Sequence, residues 1–152
     1  MGISRLTWGV KASFRSYVEA AEGSITLTDG ATRAEDGSFV FRAVPGGDLD
    51  IAPDGSATGA MRFEGTVTFA AHSGMLSSTI TELGVEAGNE GLILTGPGSR
   101  PNQDRCTLAK LGPVEVSPDG VVVLGSKITL DGMFQIADNY PPGTALDPVQ
   151  LD

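Results

Sequence analysis

Apolar residues recur along this chain in two rhythms. In the stretch LTWGVKASFRSYV, Leu6 to Val18, and just beyond it, they fall at helical spacing. Val10, Phe14, Tyr17, Val18 and Ala21 share one face, and Lys11, Arg15 and Glu19 share the other. Ser4 is placed to cap this helix and Gly23 to stop it. The same face assignment turns Tyr17 toward the body of the protein. From Gly23 onward the rhythm shortens to two. SITLT and SFVFRAV alternate in the manner of strands, and Asp29-Gly30 and Asp36-Gly37 are turn dipeptides. ATGAMRFEGTVTFAAH alternates for long enough to be one long strand or a pair, carried by Met61, Phe63, Val67 and Phe69, with Gly65 marking a bulge. GMLSSTITELGVEA and EGLILTG add strands around a turn at Asn89, and CTLAKLGPVEVSPDGVVVLGS adds short ones around Pro118-Asp119-Gly120. The proline-bearing PGSRPNQDRC reads as a loop.

Helical spacing returns in KITLDGMFQIADNY. Thr129 is its cap, and Leu130, Met133, Phe134 and Ala137 form its expected buried face. Pro141-Pro142-Gly143 ends it, and TALDPVQLD reads as a final edge strand. This order predicts a mainly β fold: an antiparallel β-sandwich or partly closed barrel flanked by an N-terminal helix and a short C-terminal helix. It fits one domain over residues 1–152.

Composition supports that picture. The 152 residues are 40% hydrophobic and 19% charged, too apolar for a disordered chain. The 21 glycines and 9 prolines supply the turns that many short strands require. A formal net charge of −9 repels phosphate backbones, which argues against nucleic acid and anionic membrane surfaces as partners. No apolar run approaches the ~18 residues of a spanning helix, so membrane insertion is not expected. The N-terminus lacks the apolar stretch of a signal peptide. Read as a full chain, the sequence points to the cytoplasm; read as an excised domain, to the cell surface or the exterior. The lone cysteine, Cys106, excludes an internal disulfide and is expected to be a buried, inert thiol.

Familiar catalytic signatures are missing from the sequence: no P-loop, no GxGxxG after a strand, no GxSxG elbow and no HExxH. One His and one Cys do not make a zinc site. That leaves three scarce side chains: Tyr17, His72 and Tyr140. Alternation through Val67, Phe69 and Ala71 puts His72 on the opposite face, at a strand end that suits a pocket. By themselves such residues are more often structural hydrogen-bonding groups than functional ones.

Several stretches together resemble the HtaA-type haem-binding domain of actinobacterial haem-uptake proteins. The opening residues Leu6, Trp8, Gly9, Val10, Lys11, Ser13, Phe14 and Tyr17 fit that family's first motif. EGSI, FVF, FEGTVTFAAHSGML and the closing FQIADNYPPGTALDPVQL follow in family order. The family's glycine before the histidine is Ala71 here. The resemblance implies ferric haem as cofactor, with Tyr17 as the iron ligand and His72 and Tyr140 as accompanying haem-binding residues. Trp8 and Phe14, with Met61, Phe63 and Phe69, would then supply apolar walls, although Trp8 is most simply a packing residue. It further implies a carrier that holds haem for transfer or storage, with a haem donor or acceptor protein as partner. The family's signal peptide and C-terminal anchor are not recognisable in these residues, which leaves open a stand-alone holder of haem. The ligand is then haem or another flat apolar small molecule; the alternative is an enzyme, a cyclase or isomerase of an apolar biosynthetic intermediate that uses the same pocket without haem, with Tyr17 and His72 as its acid/base groups.

Overall fold

The computed structural model describes residues 3–71, 76–89, 91–98, 104–118, 120–123, 125–136 and 140–152. Strand β1 (Arg5–Trp8) leads into helix α1 (Ala12–Ala20). Then come β2 (Ser24–Thr28), β3 (Thr32–Arg33), β4 (Phe39–Ala43), β5 (Asp50–Ile51) and β6 (Ala57–Thr58). The middle of the chain forms β7 (Ala60–Glu64), β8 (Thr66–Ala71), β9 (Leu76–Thr81), β10 (Gly84–Gly88), β11 (Gly91–Pro97) and β12 (Arg105–Leu111). β13 (Val114–Ser117), β14 (Gly120–Val123) and β15 (Ser126–Ile128) precede helix α2 (Leu130–Gln135). The chain closes with β16 (Ala145–Leu146) and β17 (Val149–Leu151).

Most of these strands form one antiparallel sheet in the order β13-β14-β17-β1-β4-β7-β10-β11-β12-β15-β16, with β3 added on β4. It curls into a half-barrel, in keeping with the mainly β, partly closed architecture that the alternation predicts. A separate sheet, β2-β8-β9, carries α1, and β5 pairs with β6. The core joins the large sheet to the small one. Phe39 of β4 meets Phe69 of β8 edge-on, with ring centroids 5.7 Å apart. Phe69 in turn meets Phe14 of α1 at 5.0 Å. All three rings are fully buried.

Gly65 separates β7 from β8 at φ +131° and sends them into different sheets, so the long alternating stretch is a pair of strands. A side chain there would press on Phe41 Cδ1 at 2.8 Å. Asp29 and Gly30 both take positive φ, as a tight turn requires.

Four expectations are corrected. Leu6 to Trp8 is strand rather than helix, because β1 pairs on both sides, with β17 (Leu6 opposite Leu151) and with β4 (Trp8 opposite Phe39). Ser4 caps no helix; its hydroxyl donates to the Asp152 carbonyl at 3.0 Å. The final strand β17 is not an edge, since it lies between β14 and β1. Helix α2 keeps its Thr129 cap, whose hydroxyl accepts from Gly132 N at 3.1 Å, but only Met133 of its expected buried face packs, partly buried, against the core. Gly132 lies against the Leu108 carbonyl of β12, while Leu130 is 49% exposed and Phe134 is 64% exposed. Ala137 lies outside the described residues.

Candidate functional site

The site is built from the two ends of the chain. After β1, Val10 adopts φ +65°, a left-handed conformation that a β-branched residue takes only under constraint. The constraint is Asp147, in the segment before β17. Its N–H donates to the Val10 carbonyl at 2.8 Å. Its carbonyl accepts from Trp8 Nε1 at 3.1 Å and from Ser126 Oγ at 2.7 Å. Its carboxylate accepts from the Ala12 N–H at 3.1 Å and from Arg15 Nη1 at 2.7 Å.

Lys11, the N-cap residue, makes no side-chain cap. The Asp147 carboxylate therefore does the capping from across the fold. It satisfies an orphan N–H and places negative charge at the positive end of the helix dipole. Arg15 also donates to the Gly9 carbonyl at 2.7 Å. A side chain at Gly9 would collide with the Arg15 guanidinium, so the glycine makes room for the ion pair.

Arg15 has a second carboxylate nearby. Asp36 is held below its ordinary value of 3.8, first by the Ser38 hydroxyl and backbone N–H that it accepts from, with Arg15 adding a smaller attraction.

On the helix that follows, Phe14 and Val18 are wholly buried against the small sheet. Tyr17 is 45% exposed, so it does not turn fully into the body as the face pattern suggests. It stands on the margin of the buried face, one turn after Ser13. Tyr140 comes to the same part of the helix from the other end of the chain. Its ring sits edge-on to Phe14 with centroids 6.1 Å apart, and its hydroxyl is 3.4 Å from Ser13 Oγ. Lys11 Nζ lies 5.9 Å from the Tyr140 ring centre and donates to the Ala145 carbonyl at 2.8 Å.

Thus Tyr140 packs, through Ser13 and Phe14, against the first turn of the helix that carries Tyr17. Phe14, Trp8, Phe63 and Phe69 are buried, Phe14 and Phe69 packing edge-on in line behind the Tyr140 ring, and Met61 is partly buried on β7. His72 lies outside the described residues, directly after the last residue of β8. The end of β8 is itself well placed, because the Ala70 carbonyl packs on Gly23 beside the Val18 turn of α1. Cys106 is buried as expected, with Gln135 Nε2 donating to its sulfur at 3.1 Å.

Sequence reasoning missed Asp147, Arg15 and Ser13. Asp147 had one signal available: it stands in the LDPV stretch that already fits the family's closing motif. Among the described residues no group of three or more His, Cys, Asp or Glu side chains is arranged to hold a metal ion, and no helix is long and apolar enough to cross a membrane.

A family model, HtaA, matches residues 4–152. The crystal structure of the C-terminal domain of HtaA from Corynebacterium glutamicum aligns with TM-score 0.70 at 28% identity, over 99% of this chain and 96% of that one. The N-terminal domain of HtaA from the same organism aligns with TM-score 0.73 at 25% identity, again over 99% and 96%. The heme binding protein HtaB of that organism shares the fold, with TM-score 0.66 at 19% identity over 98% and 91%. No curated protein sequence matches the chain.

Proposed function

The chain belongs to the HtaA family, and from that premise we propose that it binds ferric haem on the surface shared by Tyr17 and Tyr140 and carries it without transforming it. The observation that carries this reading is the half-exposed Tyr17, on a helix whose preceding turn touches the other tyrosine. The chain's likeness to the HtaA domains and to the heme binding protein HtaB supports the choice of ligand.

The residues suit the group. Bound haem supplies a ferric Lewis acid, a hard cation for which a phenolate oxygen is an established ligand. Tyr17 offers that oxygen to a ligand arriving from solvent. Tyr140 offers a ring face already braced by Phe14. Lys11 and Ser13, beside Tyr140, offer a cation and a hydroxyl to carboxylate substituents. A free phenol titrates near pH ~10. We assign to His72 the acceptance of the Tyr17 proton or hydrogen bond, which raises the phenolate fraction. The ligand stays exchangeable because no strand need open to release it, which fits transfer to a haem acceptor protein.

The test is a hemin titration of wild type beside Tyr17→Phe, His72→Ala and Tyr140→Phe, followed through the Soret and charge-transfer regions. The expected result is a saturable shift in wild type that Tyr17→Phe abolishes. Tyr17 is exposed enough that the Phe variant keeps its fold. No saturable shift in wild type would overturn the proposal, and an unchanged spectrum in Tyr17→Phe would overturn the ligand assignment.

A further inference from the structure

The residues Trp8, Gly9, Val10, Lys11 and Ala12 each meet the segment 145–147, directly or through Arg15. Trp8 Nε1 reaches the Asp147 carbonyl, and the Gly9 carbonyl takes the same Arg15 nitrogen that pairs with Asp147. The Val10 carbonyl takes the Asp147 N–H, Lys11 reaches the Ala145 carbonyl, and Ala12 N–H is capped by Asp147. Every polar atom of Asp147 is engaged.

A stable helix alone does not require this. A local Ser or Asp at the N-cap would satisfy the first turn equally well. Here the acceptor comes from a residue 135 positions away in sequence. That residue ends the segment that begins at Tyr140. The segment is itself pinned: Thr144 N–H and Oγ1 both reach the Pro141 carbonyl, at 3.1 and 2.6 Å, and Gly143 N–H reaches the Ile128 carbonyl at 2.8 Å. Val10 at φ +65° is the strained link that turns the chain from β1 into the helix. Strain of this kind persists only where surrounding contacts over-determine it.

We infer that Asp147, with Arg15, is a positioning residue for ligand binding: it fixes the rotation of α1 against the Tyr140 segment and so sets how Tyr17 and Tyr140 face a common ligand. A nine-residue helix is too short to bend far, so the setting at Ala12 is transmitted to Ser13 and Tyr17, which lie on one face. The bonds of Asp147 go to Trp8, Val10, Ala12, Arg15 and Ser126, so it acts on the tyrosines through these residues. It preorganises the residues that hold the ligand. The ligand part of this inference rests on the haem reading; the positioning part does not.

The two tyrosines make the inference measurable. Uniform 3-fluorotyrosine labelling gives two fluorine resonances, one for each. The central variant is Asp147→Asn. An amide places an NH2 group where one carboxylate oxygen stood, so it cannot accept from both Ala12 and Arg15. The control is a core variant in β10, Val85→Ala, compared at equal distance below its own melting temperature. Expected in the ligand-free protein is that both fluorine resonances shift or broaden in Asp147→Asn and hold their wild-type positions in the control. Expected with hemin is release to apomyoglobin faster by about tenfold or more in Asp147→Asn, the range typical of lost supporting contacts around a metal. Two unmoved resonances in folded Asp147→Asn, or equal movement in the control, overturn the positioning role. Unchanged hemin release from Asp147→Asn overturns its relevance to the ligand. If Asp147→Asn does not fold, Arg15→Met leaves the Ala12 cap in place and takes over both measurements: unmoved resonances or unchanged release in that variant overturn the same two points. Failure of wild type to bind hemin counts against the haem reading alone, because the fluorine readout needs no hemin.

Discussion

Replacing Phe14 by leucine tests how far the binding surface depends on the aromatic chain beneath it. Phe14 is fully buried and meets two rings edge-on: Phe69 at 5.0 Å and 61°, and Tyr140 at 6.1 Å and 73°. Leucine keeps the apolar character and most of the volume but no ring. Edge-to-face pairs contribute roughly 0.5–1.5 kcal/mol apiece beyond area burial, so losing two costs about 1–3 kcal/mol. At roughly 2–4 °C per kcal/mol for a chain of this size, the melting temperature falls by about 2–12 °C. The assay is thermal and urea unfolding followed by circular dichroism. Phe69→Leu and the double variant complete a cycle, which isolates the Phe14–Phe69 coupling from the loss at Tyr140. A coupling of about 0.5 kcal/mol or more is expected, since residues in direct contact seldom add independently. A melting temperature unchanged within a degree, together with strict additivity, would refute the reasoning. It would mean that the rings are neighbours without energetic consequence and that Tyr140 is braced by something else.

Two further perturbations probe the scaffold and its charge. Gly65→Ala places a Cβ 2.8 Å from Phe41 Cδ1 at a φ of +131°, so unfolding experiments should show a loss of about 2 kcal/mol or more; an alanine tolerated within about 0.5 kcal/mol would show that the switch between sheets does not need glycine. Asp36, depressed chiefly by its Ser38 hydrogen bonds, contributes stability above its unfolded value, and that contribution is lost as pH falls through its lower folded value. Asp36→Asn should therefore be less stable than wild type at pH 7, with a difference that shrinks below about pH 4. A difference that stays constant with pH, read by urea midpoints, would show that the carboxylate charge is not involved.

Local signals in the sequence predict what local physics determines. The turn at Asp29-Gly30, the Thr129 cap, the alternation in β4, β7 and β8, and the exclusion of common catalytic motifs all follow from neighbours a few residues apart. The failures come from partners far away. Leu6 and Trp8 look helical until β4 and β17 are placed beside them. The α2 face is rotated away from Leu130 and Phe134 because periodicity weighs side chains, whereas the helix approaches Leu108 most closely at Gly132, which has none, with Met133 packing beside it. The face pattern sends Tyr17 inward with Phe14 and Val18. At about 100° per residue it lies roughly 60° from Phe14 and 100° from Val18, on the boundary between the two faces. That boundary position is what allows a helix residue to reach solvent while its neighbour Phe14 stays in the core. The role of Asp147 is not legible in the sequence because all its partners but Ser126 lie more than 130 positions away. Its carboxylate carries no periodicity, and LDPV alone does not say what the aspartate holds.

The separation between the sheet and the binding surface leads to a last prediction. Tyr17 stands on α1, outside the sheets, and Tyr140 stands between α2 and β16; neither is in a strand. A ligand held by them stabilises the native state by RT ln(1 + [L]/Kd), about 2.7 kcal/mol at one hundred times Kd. How that free energy emerges in hydrogen exchange depends on which openings break the site. Local fraying of α1 moves Tyr17, so amides of α1 that exchange by fraying should slow by about the full hundredfold at that concentration. Amides of β4, β7 and β10, bonded on both sides within the large sheet, exchange through openings that need not disturb α1 unless they are global. Their local exchange should be unaffected, and only the slowest of them should gain protection. Measured with and without hemin, protection concentrated in α1 is the expected pattern. Uniform slowing of the central strands with α1 unchanged would place the ligand elsewhere, inside the half-barrel, and would remove Tyr17 from its role. Because the pattern depends only on where the tyrosines stand in the fold, hydrogen exchange discriminates between surface and interior binding even where the absorption spectrum alone does not.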